Sequence, residues 1–408
     1  MKDPAATRFA TVREDDFTLS EELIALRRAI HAEPELGLDL PRTQAKILEA
    51  LRGLPLEITL GTGLTSVTAV LRGDMPGPLV LLRGDMDALP IAEASGEPFS
   101  SSNGAMHACG HDLHVAAVVG AARLLCARRD QLAGDVQFVF QPGEEAGGGA
   151  AMMIAEGALE AAGRTPDAAY GLHVHSSYIP AGRIASRPGT LMASSDKLTV
   201  RVVGVGGHGS QPHLAKDPVH VLCEIVVALQ GMVTRQFNVF DPVVITVGCI
   251  EGGSRENVIP ESARFDATVR TVSTIARAKV EHDATRLCQH IAAAHGVQAE
   301  VRYLRDLPPT VNDATEQRFV QDTVTEVFGP KRWFTMPHPQ LAAEDFSLFL
   351  NAVPGCYMFL GTSVFEDYTQ GSDLHAATSR FDDRWLADGA ALLTELALRR
   401  LACGRIAD

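Results

Sequence analysis

The segment VQFVFQPGEE, residues 136–145, joins a mostly apolar run to two adjacent acidic side chains. The run from Val136 to Phe140 has the composition of a strand that is buried on both faces of a sheet. A Pro-Gly turn ends the run, and Glu144 and Glu145 follow at once. A buried strand that ends in charged residues predicts an α/β sheet with a polar site at its carboxyl edge.

The same pattern occurs twice more along the chain. Leu79–Leu82 leads into Arg83-Gly84-Asp85-Met86-Asp87, and Ala168–Leu172 leads into His173-Val174-His175. Helical patterns separate these runs, and they cover residues 115–125 and 150–159. Strands that alternate with helices predict a largely parallel sheet flanked by helices, so the polar strand ends should gather at one edge.

A fourth polar cluster, MHACGHDLH at residues 106–114, leads directly into a helical pattern. Cys109 and His111 stand on either side of a glycine, so both side chains can turn towards one metal ion. Thiolate and imidazole suit borderline metals such as Zn, and we therefore prefer metal ligation to two buried structural residues. His107 and His114 would either hydrogen-bond to the metal ligands and orient them, or only fill space in the protein interior.

The carboxylates at the strand ends have separate predicted roles. Glu144 and Glu145 leave a strand as neighbours, so we expect them to point in different directions, one to metal and one to substrate. The alternative is a solvated acidic turn. Asp85 and Asp87 are two residues apart and should project to one side, near the metals. Asp87 could instead cap the turn that follows it.

The pattern changes near residue 192, where polar and apolar residues begin to alternate. The predicted order is strand 197–203, helix 218–233, strand 243–249, strand 263–271, helix 274–294 and strand 297–304. This β-α-β-β-α-β series is typical of a ferredoxin-like domain. We predict a catalytic domain built from residues 1–191 and 307–408, with residues 192–306 inserted between the two parts. Helices are expected at 319–327 and 386–398.

Composition limits the possible partners and compartments. The 408 residues include 50 Asp and Glu against 36 Lys and Arg, a net charge of −14 that disfavours nucleic acid. No run approaches the ~18 apolar residues of a membrane span, and the first 17 residues lack the apolar core of a secretory signal. The 7 cysteines are scattered without paired spacing. We therefore expect a cytoplasmic protein.

Nine short motifs in order along the chain resemble one known family. The chain is similar to the aminoacylase and carboxypeptidase-G type of metallopeptidase, above all to hippurate hydrolases and plant auxin–amino-acid conjugate hydrolases. The motifs are His31–Leu36, Arg83–Pro90, Cys109–Asp112, Gln141–Glu145, Gly171–Val174, Gly206–Gly209, Asn257–Pro260, Ala343–Ser347 and Leu374-His375.

The resemblance implies a zinc-peptidase-like catalytic domain with a lid domain that also forms a homodimer. Two divalent metal ions (Zn, Mn, Co or Ni) are implied, with Glu145 or the Cys109 thiolate as the candidate bridging ligand. The implied metal ligands are Cys109, His111, Glu145, His173 and His375. Glu144 would be the general acid/base, with Asp87 beside it.

The resemblance also implies how a substrate is held. His208 would polarise the scissile carbonyl, in its own or the partner subunit's site, and Asn257 and Arg270 would receive a free carboxylate. The expected substrate is an N-acyl amino acid. Asp85 stands where relatives outside this branch have a ligand histidine, and the roles of Asp85, His175 and Glu344 stay open.

Three other functions remain open at this point. The first is a di- or aminopeptidase, or a diamino-acid deacetylase, on the same fold. The second is a non-catalytic binding protein that has kept the fold. The third is a serine or cysteine hydrolase in which Cys109 would be a nucleophile paired with His111, although the clustered carboxylates disfavour it.

Overall fold

The structure is a computed structural model that describes residues 16–145 and 148–403. Gly147, which belongs to the glycine run that follows Glu145 in the sequence, lies outside the described residues. Internal contacts divide the chain into two units. The first unit comprises Met1–Gly189, Val311–Pro337 and Leu348–Asp408, and the second comprises Thr190–Thr310 and His338–Ser347.

The elements follow one another in three stretches of the chain. The elements up to residue 192 are α1 (Asp16–His31), α2 (Pro41–Ala50), β1 (Leu56–Leu60), β2 (Val67–Leu71), β3 (Met75–Asp85), α3 (His111–Cys126), β4 (Ala133–Gln141), α4 (Gly149–Ala155), β5 (Ala168–His175), β6 (Ile184–Ser186) and β7 (Gly189–Met192). Those between residues 195 and 307 are β8 (Ser195–Val203), β9 (Gly207–His208), α5 (Pro218–Gln236), β10 (Val243–Gly252), β11 (Val258–Ile259), β12 (Ser262–Thr271), α6 (Thr274–Ala294) and β13 (Gln298–Leu307). Those from residue 310 onwards are β14 (Thr310–Asn312), α7 (Ala314–Phe328), β15 (Trp333–Thr335), α8 (Ser347–Ala352), β16 (Gly355–Gly361) and α9 (Leu386–Ala402).

An eight-stranded sheet in the order β1-β2-β4-β3-β5-β16-β6-β15 forms the centre of the first unit. Its middle strands β4, β3, β5 and β16 run parallel to one another, and every residue of β5 and β16 is buried. In register, Asp85 lies opposite Gln141, and His175 lies opposite Gly361. The prediction of a largely parallel sheet is confirmed, and the polar strand ends do meet at one edge.

Two glycines allow α3 to lie close to this edge. A Cβ added at Gly84 in β3 would lie 3.0 Å from the carbonyl oxygen of His114, so only glycine lets the helix approach so near. Gly110 has a φ of 83°, a left-handed conformation that glycine adopts without strain. A Cβ there would lie 2.3 Å from the Val174 side chain. The turn at Gly110 places Cys109 and His111 on either side of the helix start.

The second unit has a four-stranded antiparallel sheet in the order β10-β12-β8-β13. Buried and more exposed residues alternate along β8 and β12, and the helices α5 and α6 cover the buried face with apolar side chains. This strand order and the two helices confirm the ferredoxin-like arrangement. The alternating pattern therefore predicted both the element order and the face that is buried.

One described helix, α5, is long and apolar enough to cross a membrane by length and composition. The helix also has a clear inner face, where Val221, Leu222, Ile225 and Leu229 pack into the core of the second unit. The core helices of soluble domains pass the same test, so the observation is weak evidence for a membrane span.

Candidate metal centre

Three donor side chains converge where α3 begins beside β5. His111 is the first residue of α3, Cys109 precedes it by two residues, and His173 lies in β5. The Cys109 Sγ atom is 3.4 Å from the Nε2 atom of His173, and one donor atom from each of the three lies within 4.8 Å of the others. All three side chains are buried. A thiol and two imidazoles thus surround one small space.

Glu145 and His375 complete the group from distant parts of the chain. The Oε1 atom of Glu145 lies 3.2 Å from Nε2 of His375 and 4.0 Å from Nε2 of His111. Cys109, Glu145 and His375 also have donor atoms within 4.8 Å of one another. The structure therefore gathers all five residues that the sequence analysis named as metal ligands. We call Cys109, His111, Glu145, His173 and His375 the buried donor cluster; four of its side chains are at most 10% exposed, and His375, at 51%, is the member open to solvent.

The backbone at His375 is unusual among the described residues, because His375 is the one non-glycine residue with a positive φ, 64°. Left-handed backbone at a non-glycine residue is uncommon and persists where surrounding contacts hold it. Here the N–H of His375 donates to the carbonyl oxygen of Ala108, 3.1 Å away. This hydrogen bond ties the His375 loop to the segment that carries Cys109.

The carboxylates of Glu144 and Glu145 lie closer together than the sequence analysis expected. One oxygen of each lies within 4.8 Å of the other and of a His111 ring nitrogen. Both residues lie in a turn after β4, and Asp87 accepts the N–H of Glu144 and that of Glu145, each at 3.1 Å. The prediction assumed an extended strand, and the turn that Asp87 holds brings the two side chains together instead. Asp87 caps this turn rather than the one that follows it in sequence.

Asp85 organises the layer behind the buried donor cluster. Its carboxylate accepts a hydrogen bond from Arg83 at 2.5 Å and contacts the Nδ1 atom of His114 at 2.5 Å. The Nε2 atom of His114 accepts the N–H of Val174 at 2.8 Å, so the proton of His114 lies on Nδ1. His114 therefore links Asp85 to the backbone beside His173, which agrees with a supporting role.

Charges within the buried donor cluster shift several pKa values. Burial raises the pKa of the Cys109 thiol well above its usual value. Burial lowers the pKa of His111, but Asp85, Cys109 and Asp87 together outweigh this effect and the net change is upward. Burial raises the pKa of Glu145, but its hydrogen bond with His375 and the charge of His111 bring it below the ordinary value. Without a cation, the carboxylates near His111 therefore favour its protonated form, and burial keeps Cys109 a neutral thiol.

The donor set fits divalent cations. Both ring nitrogens of His111 are buried without a hydrogen-bond partner among the described residues. Buried polar atoms normally have a partner, so these atoms require one from outside the chain. Two or more imidazoles with a thiolate and a carboxylate form a mixed donor set for borderline transition metals. A bound cation would also replace the proton of His111 and stabilise the Cys109 thiolate.

The remaining predicted residues belong to the second unit and are not part of the cluster. His208 lies in β9 opposite Val258, and the N–H of Gly209 donates to the Asn257 carbonyl oxygen at 2.8 Å. His208 Nδ1 accepts the N–H of Ser210 at 3.1 Å, which leaves Nε2 as the donor nitrogen. Arg270 is half-buried in β12, and burial lowers its pKa. His208 and Asn257 are thus brought together on one ribbon.

Two residues whose roles were open have local partners. His175 is buried in β5, and its Nδ1 atom accepts the N–H of Tyr178 at 3.2 Å. Burial lowers the pKa of His175 to about 4. Glu344 is buried in the second unit, where its side chain accepts the N–H of Phe346 at 2.9 Å. Among the described contacts, neither His175 nor Glu344 contributes a donor atom to the buried donor cluster.

Sequence reasoning missed a buried charged network next to His111. Asp112 forms an ion pair with Arg27 at 2.7 Å and contacts His31 Nδ1 at 2.8 Å, while His31 Nε2 lies 3.0 Å from Glu93. His107 is buried beside this network, and burial lowers its pKa to about 3. The His31–Leu36 motif marked His31 as a residue of interest. Its partners Glu93 and Asp112 lie 62 and 81 positions further along the chain, and spacing alone could not pair them with it.

Comparisons with known proteins agree with this site. The model of Peptidase family M20/M25/M40 matches residues 81–399. Thermostable carboxypeptidase 2 of Saccharolobus solfataricus is 39% identical over 86% of this chain and 88% of its own length. An N-acetyl-L-cysteine deacetylase of Bacillus subtilis is 36% identical over 94% of this chain and 89% of its own length. A Bacillus subtilis dinuclear metal-binding peptidase of the M20 family superposes with a TM-score of 0.82 at 31% identity, over 94% of this chain and 99% of that chain.

Proposed function

The chain belongs to Peptidase family M20/M25/M40, and from that premise we propose that it hydrolyses the amide bond of N-acyl amino acids. It is a metal-dependent amidohydrolase that uses two divalent metal ions. The proposed substrates are N-acetyl or hippurate-like amino acids, and the products are a carboxylic acid and a free amino acid. The observation that carries the proposal is the buried donor cluster with the Glu144 carboxylate beside it.

We propose that the five residues of the buried donor cluster hold both cations. Cys109 shares one set of close donor atoms with His111 and His173, and a second set with Glu145 and His375. A residue common to both sets is the natural bridge between two cations. Cys109 and Glu145 each belong to two such sets, so either would be placed to contact both cations. Zn, Mn, Co and Ni all fit such a mixed donor set.

Glu144 is the proposed general acid and base. When bound, the cations supply Lewis acidity and lower the pKa of water. Glu144 then takes a proton from the attacking water, whose oxygen bonds to the amide carbon, and it returns that proton to the nitrogen as the C–N bond breaks. Asp87 keeps the Glu144 backbone in place through its N–H, so the carboxylate need not be repositioned during the reaction.

The second unit is the proposed lid and dimerisation module, and it supplies the proposed contacts to the rest of the substrate. His208 would donate from Nε2 to the carbonyl oxygen, since Nδ1 already accepts from Ser210. Asn257 and Arg270 would hold the free carboxylate of the amino acid. Arg270 supports this role because it is half-buried and has no ion pair with the described residues. The charges of Asp196 and Asp306 act on Arg270 without forming an ion pair, so its guanidinium is still able to pair with the carboxylate of a ligand.

Assembly and location remain proposals. We propose a homodimer because β10 lies at the edge of its sheet and carries exposed side chains, among them Ile250. Exposed edge strands are templates for pairing with another chain. We propose a cytoplasmic location because all seven cysteines are free. Light scattering of the purified protein and fractionation of the source cell test these two proposals.

The test of the mechanism is Glu144→Gln, which removes the base and keeps the size of the side chain. Turnover of N-acetyl and N-benzoyl amino acids should fall by about 10²–10⁴, the usual contribution of general acid–base catalysis. Metal content measured by elemental analysis should stay at the wild-type level. Glu49→Gln, at an exposed position of α2, is the matched control and should leave both values unchanged. A Glu144→Gln protein with wild-type kcat would refute the assignment.

The test of the substrate class is a panel of N-acetyl, N-benzoyl and indole-acetyl amino acids beside free dipeptides. Preferred turnover of the N-acyl compounds supports the proposal. Preference for free dipeptides would support a di- or aminopeptidase instead, and preference for acylated diamino acids would support a deacetylase of that class. A metal-loaded protein without turnover of any compound would support a non-catalytic binding protein.

A second candidate function is favoured by the similarity to the carboxypeptidase of Saccharolobus solfataricus. A carboxypeptidase also cleaves an amide whose leaving amino acid has a free carboxylate, so the same residues would serve. N-acylated dipeptides and tripeptides distinguish the two functions. Release of the C-terminal residue at a higher kcat/KM than from N-acetyl amino acids would make this chain a carboxypeptidase.

A further inference from the structure

A second group of metal-donor side chains lies on the outer surface of the second unit. His220 and Glu224 are on α5, and His295 follows the last residue of α6. The Oε2 atom of Glu224 is 2.6 Å from Nε2 of His295, and the rings of His220 and His295 meet edge to face with centroids 5.6 Å apart. One donor atom from each residue lies within 4.8 Å of the others. We call His220, Glu224 and His295 the helix triad.

The backbone fixes the members of the helix triad relative to one another. Residues 220 and 224 are four apart on α5, so their side chains share one face of the helix. His295 is held at the end of α6, where its N–H donates to the Ala292 carbonyl at 3.1 Å and Gly296 follows with a φ of 67°. Both helices pack on the same sheet through the core of the second unit. The three side chains therefore face one another because of the fold.

The donor chemistry of the helix triad is that of a transition-metal site. Two imidazole nitrogens and one carboxylate oxygen are ligands for Zn²⁺, and three protein ligands leave room for water in the fourth position. We propose that the helix triad binds a divalent transition metal ion, with Zn²⁺ as the reference cation, at a site separate from the buried donor cluster. Neither the family resemblance nor the proposed hydrolysis requires this site, and the proposal does not depend on them.

Small movements of exposed side chains are enough to complete the site. Donors around a tetrahedral Zn²⁺ at ~2.0–2.1 Å lie about 3.3 Å apart, which is wider than the 2.6 Å between Glu224 and His295. The side chains of His295 and Glu224 are 34% and 49% exposed, so the carboxylate can swing outwards by under about 1 Å without moving the helices. The same exposure gives the cation a direct path from solvent.

A cation in the helix triad would connect α5 to the end of α6. A ligand that binds the folded state stabilises it by mass action, so Zn²⁺ should raise the unfolding temperature of the second unit as its concentration rises. Lys216 lies close to this end of α6, since its Nζ atom donates to the Gly296 carbonyl at 2.7 Å. Its positive charge should keep the affinity moderate and dependent on salt concentration.

The test compares the full chain with His220→Gln after both are dialysed against the same free concentration of Zn²⁺. Elemental analysis should find one more Zn²⁺ per chain in the wild type than in His220→Gln. Kinetic constants on N-acyl amino acids should be equal, because no residue of the helix triad belongs to the buried donor cluster. His290→Gln is the matched control, since His290 is an exposed histidine of α6 outside the helix triad. It should retain the additional Zn²⁺.

Three results would overturn the proposal. One is equal Zn²⁺ content in the wild type and His220→Gln. Another is the loss of one Zn²⁺ in His290→Gln as well, which would show unspecific surface binding. The third is a Glu224→Gln protein that keeps the additional cation with unchanged affinity in calorimetric titration. Loss of Zn²⁺ in both His220→Gln and Glu224→Gln, with His290→Gln unaffected, supports it. A failed hydrolase assay would leave each of these outcomes readable, because none of them depends on turnover.

Discussion

The buried donor cluster and the helix triad contain the same kinds of side chain in opposite surroundings. In the cluster, His111 is 1% exposed and both of its ring nitrogens have no hydrogen-bond partner among the described residues. In the helix triad, water can reach His295 and Glu224, which are 34% and 49% exposed. Water can hydrogen-bond to the exposed side chains of the helix triad, so this surface is stable whether or not a cation is bound there. The ring nitrogens of His111 are cut off from bulk water, so a partner bound inside the site, such as the proposed cation, matters more there.

This difference makes the expected consequences unequal. Removing the cations from the buried donor cluster leaves three imidazoles, a thiol and a carboxylate close together, and unpaired polar groups are costly where the site is buried. Removing a cation from the helix triad returns its members to water at little cost. The predictions below test this inequality, beginning with the largest expected effect.

Removal of metal by dialysis against a chelator should abolish turnover completely. Each cation held at a thousandfold excess over its Kd contributes about 4 kcal/mol to the folded state, so stability should fall by several kcal/mol as well. The measurements are kcat on an N-acyl amino acid and Tm by calorimetry, before and after the return of metal. A chelated protein that keeps its activity would contradict the role of the buried donor cluster.

Asp85→Asn should give the next largest effect. The substitution removes the negative charge shared by Arg83 and His114 in the interior, and breaking a buried charge pair costs about 3–5 kcal/mol. Loss of a residue that supports metal ligands lowers metal affinity by about 10–100-fold. Urea denaturation and metal titration measure both values. Asp74→Asn, whose partner Arg129 is 3.2 Å away on the surface, should cost under about 1 kcal/mol.

His31→Gln tests the charged network that lies next to the buried donor cluster. Burial lowers the pKa of His31, but the carboxylates of Asp112 and Glu93 bring it to about 9 from its usual 6.5. A raised pKa stabilises the fold fully below pH 6.5, and the contribution is lost as the pH rises through 9. At 1.36 kcal/mol per unit, the shift corresponds to stabilisation on the order of 3 kcal/mol.

The Tm of the wild type should therefore exceed that of His31→Gln most at pH 6, and the difference should disappear by pH 10. Calorimetry across this range, with His290→Gln as the control for loss of an exposed histidine, gives the measurement. A difference that stays constant from pH 6 to pH 10 would show that the contribution of His31 is packing and not charge.

Glu224→Gln in the absence of added Zn²⁺ should have the smallest effect. Its partner His295 is on the surface, and exposed pairs contribute about 0–1 kcal/mol. Tm and kcat should both stay close to the wild-type values. A loss of several kcal/mol in this variant would mean that the helix triad is a structural element of the second unit and would end the contrast with the buried donor cluster.

Periodicity was enough to predict the elements of the second unit. The predicted lid strand at residues 197–203 corresponds to β8, and the predicted helix at 274–294 coincides with α6. These elements were predictable because burial on one face imposes a period of two on strands and 3.6 on helices. At Glu144 and Glu145 a turn replaces the extended chain that was assumed, and the carboxylates lie closer together than expected; their separate roles stay a prediction.

The sequence by itself determined the donor chemistry and the elements that carry it. Cys109, His111 and His173 stand at a helix start and on a buried strand, and such positions in a parallel sheet share one edge. The local sequence pattern is sufficient for this prediction, because the type and the bounds of a helix or strand depend mainly on residues that are neighbours in the chain.

Only the tertiary structure decided which distant groups complete the site. Three contacts join residues that are far apart in sequence. His375, with its left-handed backbone, donates a hydrogen bond to Ala108, Asp87 accepts the N–H of Glu144, and the ring of His220 packs against that of His295. Such pairings depend on how closely two elements pack in the folded protein. The spacing of residues within one segment does not determine that packing distance.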